Sequence, residues 1–479
     1  MPSRGGAGSR LGERVGGGLR LLIRPLRVRP SSRKTVAALS SAAFAYGLLQ
    51  SCVTPMLPAL AREYGVDEAA SAWLVTGFLL SASIATPLGG RLGDMYGRGR
   101  ILRWVLWIFA AASAMAAAAP TYELLLAARV GQGVGGALFP LAFGIYREHL
   151  SAGRLAAAVG LTSSVIAVGS GIGVVVVGPL ERAGGSHGVF ATAAMLVVIS
   201  AALVTLVISP HVGGTGGTID VPGAALLVVW LSALLVALSE LARGGMALPL
   251  VPVLFGASAV AFALWILVER RARTPIVNVK LLATSVVLLP NLLAFAFGFL
   301  LFSGMVLVPA FVQAPAAAGF GFSASVTETS FYLLPQTVVF LAVSLLAGRM
   351  HQWPGERVSI VLGALLALVG QLALALWHDD PAPVIAASAV TGMGIGLIYT
   401  HLSSFIVRTV PASEVGSVSG MNTNIRNIGG AVGAQLSASI IVAVGGGGGF
   451  TVAFAILAAM ALVAVVLSVI LALPRSRRG

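Results

Sequence analysis

Three side chains in this sequence have the type and setting to hold or relay charge within an apolar chain: Asp94, Arg129 and His401. Asp94 is the only acid in the stretch GRLGDMYGRGR, Gly90 to Arg100, where it stands among Arg91, Arg98 and Arg100. A carboxylate there can pair with an arginine or accept hydrogen bonds from a helix N-terminus; the alternative is a solvated turn. Gly90, Gly93 and Gly97 permit a tight reversal and close helix approach. Arg129 lies in LLLAARVGQGVGGALFP. An arginine at the centre of a lipid-spanning helix costs at least about 2.5 kcal/mol, so it needs a partner or a wet cavity, unless it snorkels to the outer interface. His401 is of the side-chain type whose ordinary pKa lies near physiological pH, although a lone helical histidine is more often a structural residue. The other polar residues at helical depth are Gln50, Thr54, Gln336, Gln371, Tyr399, Asn422, Asn424 and Arg426.

The elements that must carry these residues follow from composition. The chain has 479 residues, 57% hydrophobic and only 10% charged, against roughly 25% charged in a soluble domain. Most of its surface has to lie in lipid. The formal charge of +14 is spread over short stretches between apolar runs. It lacks the basic and aromatic interleaving of a nucleic-acid platform, so nucleic acid is excluded as a partner. The single cysteine, Cys52, allows no intrachain disulfide. No metal-ligand cluster, nucleophile elbow or phosphate loop is present in the sequence, so neither an enzyme, a cofactor nor a metal is expected.

Fourteen stretches reach the roughly 20 apolar residues that a spanning helix requires. They are 36–57, 70–89, 101–119, 121–146, 155–180, 188–209, 221–241, 248–268, 286–312, 327–348, 358–377, 383–406, 422–444 and 450–473. With the N-terminus in the cytoplasm, 25 of the 30 Lys and Arg fall inside, three (Arg62, Arg182, Arg243) outside, and Arg129 and Arg426 within spans. Adding or removing one helix scrambles that segregation, so both termini are expected to be cytoplasmic.

An internal repeat is visible. Gly160, Gly169 and Gly173 of the fifth span recur 260 positions later as Gly420, Gly429 and Gly433 of the thirteenth. GRLGDMYGRGR after the second span has a counterpart in GRMHQWPGER after the tenth. The division is then a basic, disordered cytoplasmic tail (1–34), an N-terminal six-helix half (35–210), a two-helix insert with a cytoplasmic linker (211–282), a C-terminal six-helix half (283–474) and a cytoplasmic tail (475–479). Two such halves around a midplane cavity suit alternating access. Gln50, Thr54, Gln336, Tyr399, His401, Asn424 and Arg426 lie on helices expected to border that cavity. With no acid at midplane depth, a neutral or anionic compound fits it better than a permanent cation.

These motifs resemble the major facilitator superfamily. GRLGDMYGRGR is similar to its signature cytoplasmic loop, Gly-x-x-x-Asp-basic-x-Gly-Arg-basic, matched by Gly90, Asp94, Gly97 and Arg98, with Met95 and Gly99 where basic residues are usual. The resemblance implies a gating latch. Arg129, Gln132 and Gly133 match the fourth-helix Arg-x-x-Gln-Gly, whose arginine the family uses in proton coupling. GSGIGVVVVGPL, Gly169 to Leu180, is similar to the exporters' antiporter motif through Gly178 and Pro179, and more loosely Gly173. IDVPGAALL, VERRARTPIVNVKLL and MNTNIRNIGGAVGA look like the fourteen-helix drug/proton antiporter branch. One departure stands out. In LLQSCVTPMLP, Leu48 to Pro58, Leu49 occupies the place of that branch's first-helix aspartate and Thr54 that of its asparagine.

The resemblance implies an all-α membrane protein of the major facilitator fold with fourteen transmembrane helices. It implies export of a hydrophobic or amphipathic small molecule, of drug or antibiotic type, by proton antiport and alternating access. Asp94, Arg129 and His401 are the coupling candidates, and Gln50, Thr54, Gln132, Gln336, Tyr399, Asn424 and Arg426 the cavity candidates. The expected partners are substrate, protons and the lipid of a bacterial plasma membrane, with the chain a monomer. The alternatives are a carrier without proton coupling and a membrane receptor or scaffold. The charge count leads to a first prediction. A phosphatase–fluorescent-protein pair of reporters, placed after Gly479 or near Gly214, should score cytoplasmic at both places; an external signal at either ends the fourteen-span topology.

Overall fold

In the computed structural model the described residues are 32–150, 152–210, 220–244, 249–272, 275, 277, 279–282, 284–349, 355–409 and 415–473. Almost all of the basic tail expected at 1–34 lies outside them, as do 211–219 of the linker, 350–354 of the second-half loop and the tail 475–479. The described residues form helices and connecting turns: α1 (Ser32–Cys52), α2 (Leu57–Tyr64), α3 (Glu68–Tyr96), α4 (Arg98–Ala117), α5 (Tyr122–Gly133), α6 (Leu138–His149), α7 (Ala152–Val207), α8 (Val221–Gly244), α9 (Leu250–Arg271), α10 (Val279–Leu282), α11 (Ser285–Gln313), α12 (Val326–Arg349), α13 (Glu356–Leu376), α14 (Pro381–Thr409), α15 (Val415–Val444) and α16 (Gly446–Ala472).

Among the described residues thirteen continuous helical stretches are long and apolar enough to cross a membrane. One of them, within the 56 residues of α7, is two helices: Gly184 (φ −149°, ψ 15°) and Gly185 (φ 64°, ψ −167°) leave helical geometry. Only glycine takes such a reversal cheaply. The break separates the fifth span from the sixth and makes the total fourteen. The fourth span is α5 and α6 joined through a 3-10 turn, Val134–Ala137.

Local chemistry explains the other ends. Pro55 has no N–H to offer the Ser51 carbonyl, so α1 stops at Cys52 and a 3-10 turn, Thr54–Met56, follows. The Thr54 hydroxyl donates to that carbonyl instead, at 2.8 Å. Asp67 caps α3 by accepting from the Ala70 amide at 2.6 Å, beside Glu68 in the first turn. The segment Gly90–Tyr96, expected as a loop, is the last part of α3, which runs unbroken to Tyr96. The whole reversal to α4 is made by Gly97, at φ 99° and ψ 122°, a conformation that L side chains rarely adopt.

The two halves repeat one packing unit. α1 lies along the first part of α7, and α11 along α15. In each pair, glycines of one helix meet carbonyl oxygens of the other. Gly169 and Gly173 press on Phe44 and Leu48, and Gly429 and Gly433 on Phe295 and Phe299. In the reverse direction Gly47 presses on the Ile166 carbonyl and Gly298 on that of Arg426. Small residues let two backbones come this close where lipid supplies no hydrophobic force between helices.

The insert is less peripheral than the sequence suggested. α8 packs on both α3 and α15, one helix from each half, with the Trp73 indole donating to Ser239 at 3.2 Å. Two further hydrogen bonds cross between the halves near the ends expected outside: Gln313 Nε2 to the Pro55 carbonyl at 2.7 Å and Gln435 Nε2 to the Ala69 carbonyl at 3.3 Å.

The glycine contacts set a stability prediction. A Cβ at Gly173 would stand 2.6 Å from the Leu48 carbonyl oxygen, whereas one at Gly160 would meet nothing within 4 Å. Gly173→Val should cost about 1–3 kcal/mol by overpacking, and Gly160→Ala should be neutral or slightly stabilising. Thermal unfolding of the detergent-purified variants checks this; equal behaviour of the two refutes the packing account.

Candidate functional site

Between the halves lies an open cavity with about 840 Å³ of empty space, its mouth included. α1 contributes Gln50 and Ser51 to its wall and α7 contributes Ile166, Ser170 and Val174. From the other half come Phe297, Leu301, Phe302 and Met305 of α11, Gln336 and Phe340 of α12, Tyr399 of α14 and Arg426 of α15. The wall is mostly apolar and aromatic. Its polar groups are two glutamines, three hydroxyl-bearing residues (Ser51, Ser170, Thr337), Tyr399 and one charge, that of Arg426. Among the described residues no carboxylate lines it.

The Tyr399 ring stands at 5.8 Å from both Phe297 and Phe340. The Arg426 Cζ lies 5.3 Å from the Tyr399 centroid, within range of a cation–π attraction. Ser170 donates to the Gly47 carbonyl at 3.1 Å, which ties α7 to α1 beside the cavity.

Of the residues expected at the cavity, Gln50, Gln336, Tyr399 and Arg426 are on this wall. Thr54, Gln132, Asn424 and His401 are not. Thr54 is fully buried and occupied by its bond to Ser51, because the Pro55 break turns it away. Asn424 is buried at 3% exposure on α15, two residues and so about 200° from Arg426. His401 stands in the same relation to Tyr399 on α14 and is buried at 6%.

Gln132 serves Arg129 instead. Arg129 is 0% exposed, so it does not snorkel. Its Nε donates to the Leu74 carbonyl at 2.8 Å. One terminal nitrogen donates to the Leu49 carbonyl at 3.2 Å and to Gln132 Oε1 at 2.7 Å. Gln132 Nε2 in turn donates to Ser113 at 3.3 Å, and the guanidinium sits 4.6 Å from the Phe78 ring centre. No ion pair among the described residues involves Arg129. Leu49, where a carboxylate was looked for, supplies its backbone oxygen. The cluster joins the first, second, third and fourth spans inside the N-terminal half.

Asp94 is paired with Arg98 at 2.5 Å, and Arg98 also pairs with Glu148 at the end of α6. A Cβ on Gly144 would run into the Arg98 side chain, so that glycine leaves the guanidinium its path to Glu148. Asp94 keeps 41% side-chain exposure. Glu148 went unrecognised in sequence because it lies 50 positions from Arg98. Nearby, Arg103 donates to the Thr205 carbonyl at 2.9 Å and to that of Ile208, closing the C-terminal end of the sixth span. In the antiporter-motif helix, a Cβ at Gly178 would stand 2.8 Å from Thr327 Cα. Gly178, followed by Pro179, thus marks a close crossing of α7 with α12, whereas Gly169 and Gly173 face α1.

The Arg129 fork carries a prediction of its own. Arg129→Lys keeps the charge but cannot reach two carbonyls and an amide at once. It should cost about 1–3 kcal/mol. Chemical or thermal denaturation in detergent measures this, and unchanged stability would show that the fork adds nothing.

Comparison with known proteins agrees with this architecture. Residues 39–434 match the model of the Major Facilitator Superfamily. The chain is 26% identical over 396 residues to the multidrug resistance protein Stp of Mycobacterium tuberculosis, covering 82% of this chain and 72% of that one. It is 28% identical over 441 residues to the lincomycin resistance protein of Streptomyces lincolnensis, covering 88% and 87%. Among solved structures, the human organic anion transporter MFSD10 superposes with a TM-score of 0.62 at 16% identity, over 92% of this chain and 100% of that one.

Proposed function

This chain belongs to the Major Facilitator Superfamily, and from that premise we propose that it exports a hydrophobic or amphipathic small molecule, of drug or antibiotic type, by alternating access. The observation that carries the reading is the aromatic, acid-free cavity walled by both halves. Such a wall holds a flat apolar compound through contact area and a few polar groups. The resistance functions in the names of the relatives from Mycobacterium tuberculosis and Streptomyces lincolnensis support the same direction of transport. The site of action is then the bacterial cell membrane, with both termini in the cytoplasm.

Proton antiport is the coupling that this reading adopts. The exchange is carried by Asp94, whose carboxylate alternates between Arg98 and a proton as the cytoplasmic ends of the helices part. Arg129 biases the field from inside the N-terminal half, and His401 is the reserve titrating group. Glu148 shares Arg98, so the guanidinium retains one carboxylate partner when Asp94 is protonated.

A second reading has one specific observation in its favour. No carboxylate lines the cavity, and Leu49 meets Arg129 with a carbonyl rather than an acid. A carrier without proton coupling needs no more than that.

Flux measurements in proteoliposomes separate the two. Under antiport, an imposed pH gradient changes substrate flux with its sign, and Asp94→Asn lowers transport by roughly an order of magnitude while leaving the protein folded and inserted. Flux indifferent to a gradient of either sign removes antiport and leaves the uncoupled carrier.

A further inference from the structure

The chain treats its two intramembrane arginines in opposite ways. Arg129 is enclosed and engages two carbonyls and an amide. Arg426 stands half-buried on the cavity wall. Among the described residues no hydrogen bond or ion pair engages its guanidinium; the Tyr399 ring lies beside it. A cation half withdrawn from water without a counter-charge is costly, and proteins ordinarily pair one. The side of Arg426 left open faces the cavity.

Packing alone does not call for an arginine there. The repeat places Ile166 and Arg426 at equivalent points: the Ile166 carbonyl receives Gly47 as the Arg426 carbonyl receives Gly298. Both side chains reach the cavity. One half fills the position with an isoleucine, and the other brings a charge. That charge is not balanced by any acid on the wall.

We propose that Arg426 is an anion anchor, so that the cavity takes an amphipathic monoanion. Its flat apolar body lies among Phe297, Phe340 and Tyr399, and its carboxylate or sulfonate pairs with the guanidinium. The planar fork suits either group, because two parallel N–H bonds can reach two oxygens. Gln50 and Gln336 give neutral hydrogen bonds on the same wall and do not compete for the charge. The proposal rests on the transporter reading above and narrows its substrate class. It has a consequence for energetics: a carried anion moves net charge, so an inside-negative membrane potential favours its export even where no proton is exchanged.

Two probes that share one aromatic skeleton test it: 1-anilinonaphthalene-8-sulfonate and its uncharged parent, N-phenyl-1-naphthylamine. Binding is measured by fluorescence on purified protein in neutral detergent, with protein-free micelles subtracted. Arg426→Gln should weaken the sulfonate by about ten- to a hundredfold and leave the neutral probe nearly unchanged. Arg426→Lys, which keeps the charge but not the fork, should weaken the sulfonate less than Arg426→Gln does. On the unaltered protein, 2-naphthoate should displace the bound sulfonate and 2-naphthamide should not, which needs no variant to fold. Sulfonate binding that survives Arg426→Gln, an equal loss of both probes, or equal displacement by naphthoate and naphthamide overturns the anchor and leaves the exporter reading standing. Charge-dependent binding with neither probe moved across proteoliposomes keeps the anchor and overturns the exporter reading.

Discussion

A glycine pressed against a carbonyl oxygen of the neighbouring helix is the contact on which both halves are built. In lipid, apolar side chains gain little by leaving one apolar surface for another, so helix association depends on close fit and internal hydrogen bonds. Gly169 and Gly173 of α7 against α1, and Gly429 and Gly433 of α15 against α11, bring backbones to a separation that any side chain would prevent. The same contact in reverse, at Gly47 and Gly298, interlocks each pair. Once the two pairs are this tight, the side chains beside the glycine contacts are left to border a common space. Gln50, Ile166, Phe297 and Arg426 are among them.

The arginines divide the work of holding and receiving. Arg129 gathers the Leu49 and Leu74 carbonyls and makes one block of the N-terminal half. Its charge is spread over neutral oxygens and the Phe78 ring, which is how a cation survives in the interior without a carboxylate. Arg426 lies on a surface that water or substrate can reach and keeps its donors for what enters. A transporter needs both: rigid halves that rock as bodies, and a site between them that is incomplete until it is filled.

The carboxylates are placed at the edges. Asp94 and Glu148 converge on Arg98 at the end of the N-terminal half expected in the cytoplasm, where a single glycine, Gly97, makes the turn. That geometry can stiffen or release the ends of three spans. Among the described residues the cavity wall is free of acid, and so the proposed anchor and the proposed proton-carrying groups are separate. Any coupling between them has to pass through movement of the helices. At the opposite end, Gln313 and Gln435 reach across to carbonyls of the other half, and α8 bridges α3 and α15 from the side.

Much of this was legible in the chain itself. Apolar runs determine the number of the spans, because charge and bare backbone are both too costly in lipid to be placed otherwise; the basic residues on one side give their expected direction. The glycines at a common offset point to the repeat; that Gly184–Gly185 makes the break between the fifth and sixth spans was shown by the structure. Which residues meet across the cavity was decided only by the tertiary structure. Thr54 and Asn424 look as eligible as Gln50 and Arg426 in sequence, but the Pro55 break and a difference of two helical positions turn them elsewhere. Phe297 and Phe340 gave no signal, since an aromatic facing a cavity and one facing lipid read alike in an apolar helix. Glu148 found Arg98, and Gln132 found Arg129, through distances that depend on how the helices cross. The sequence sets how often a side chain returns to one face of its helix; the packing decides what that face looks upon.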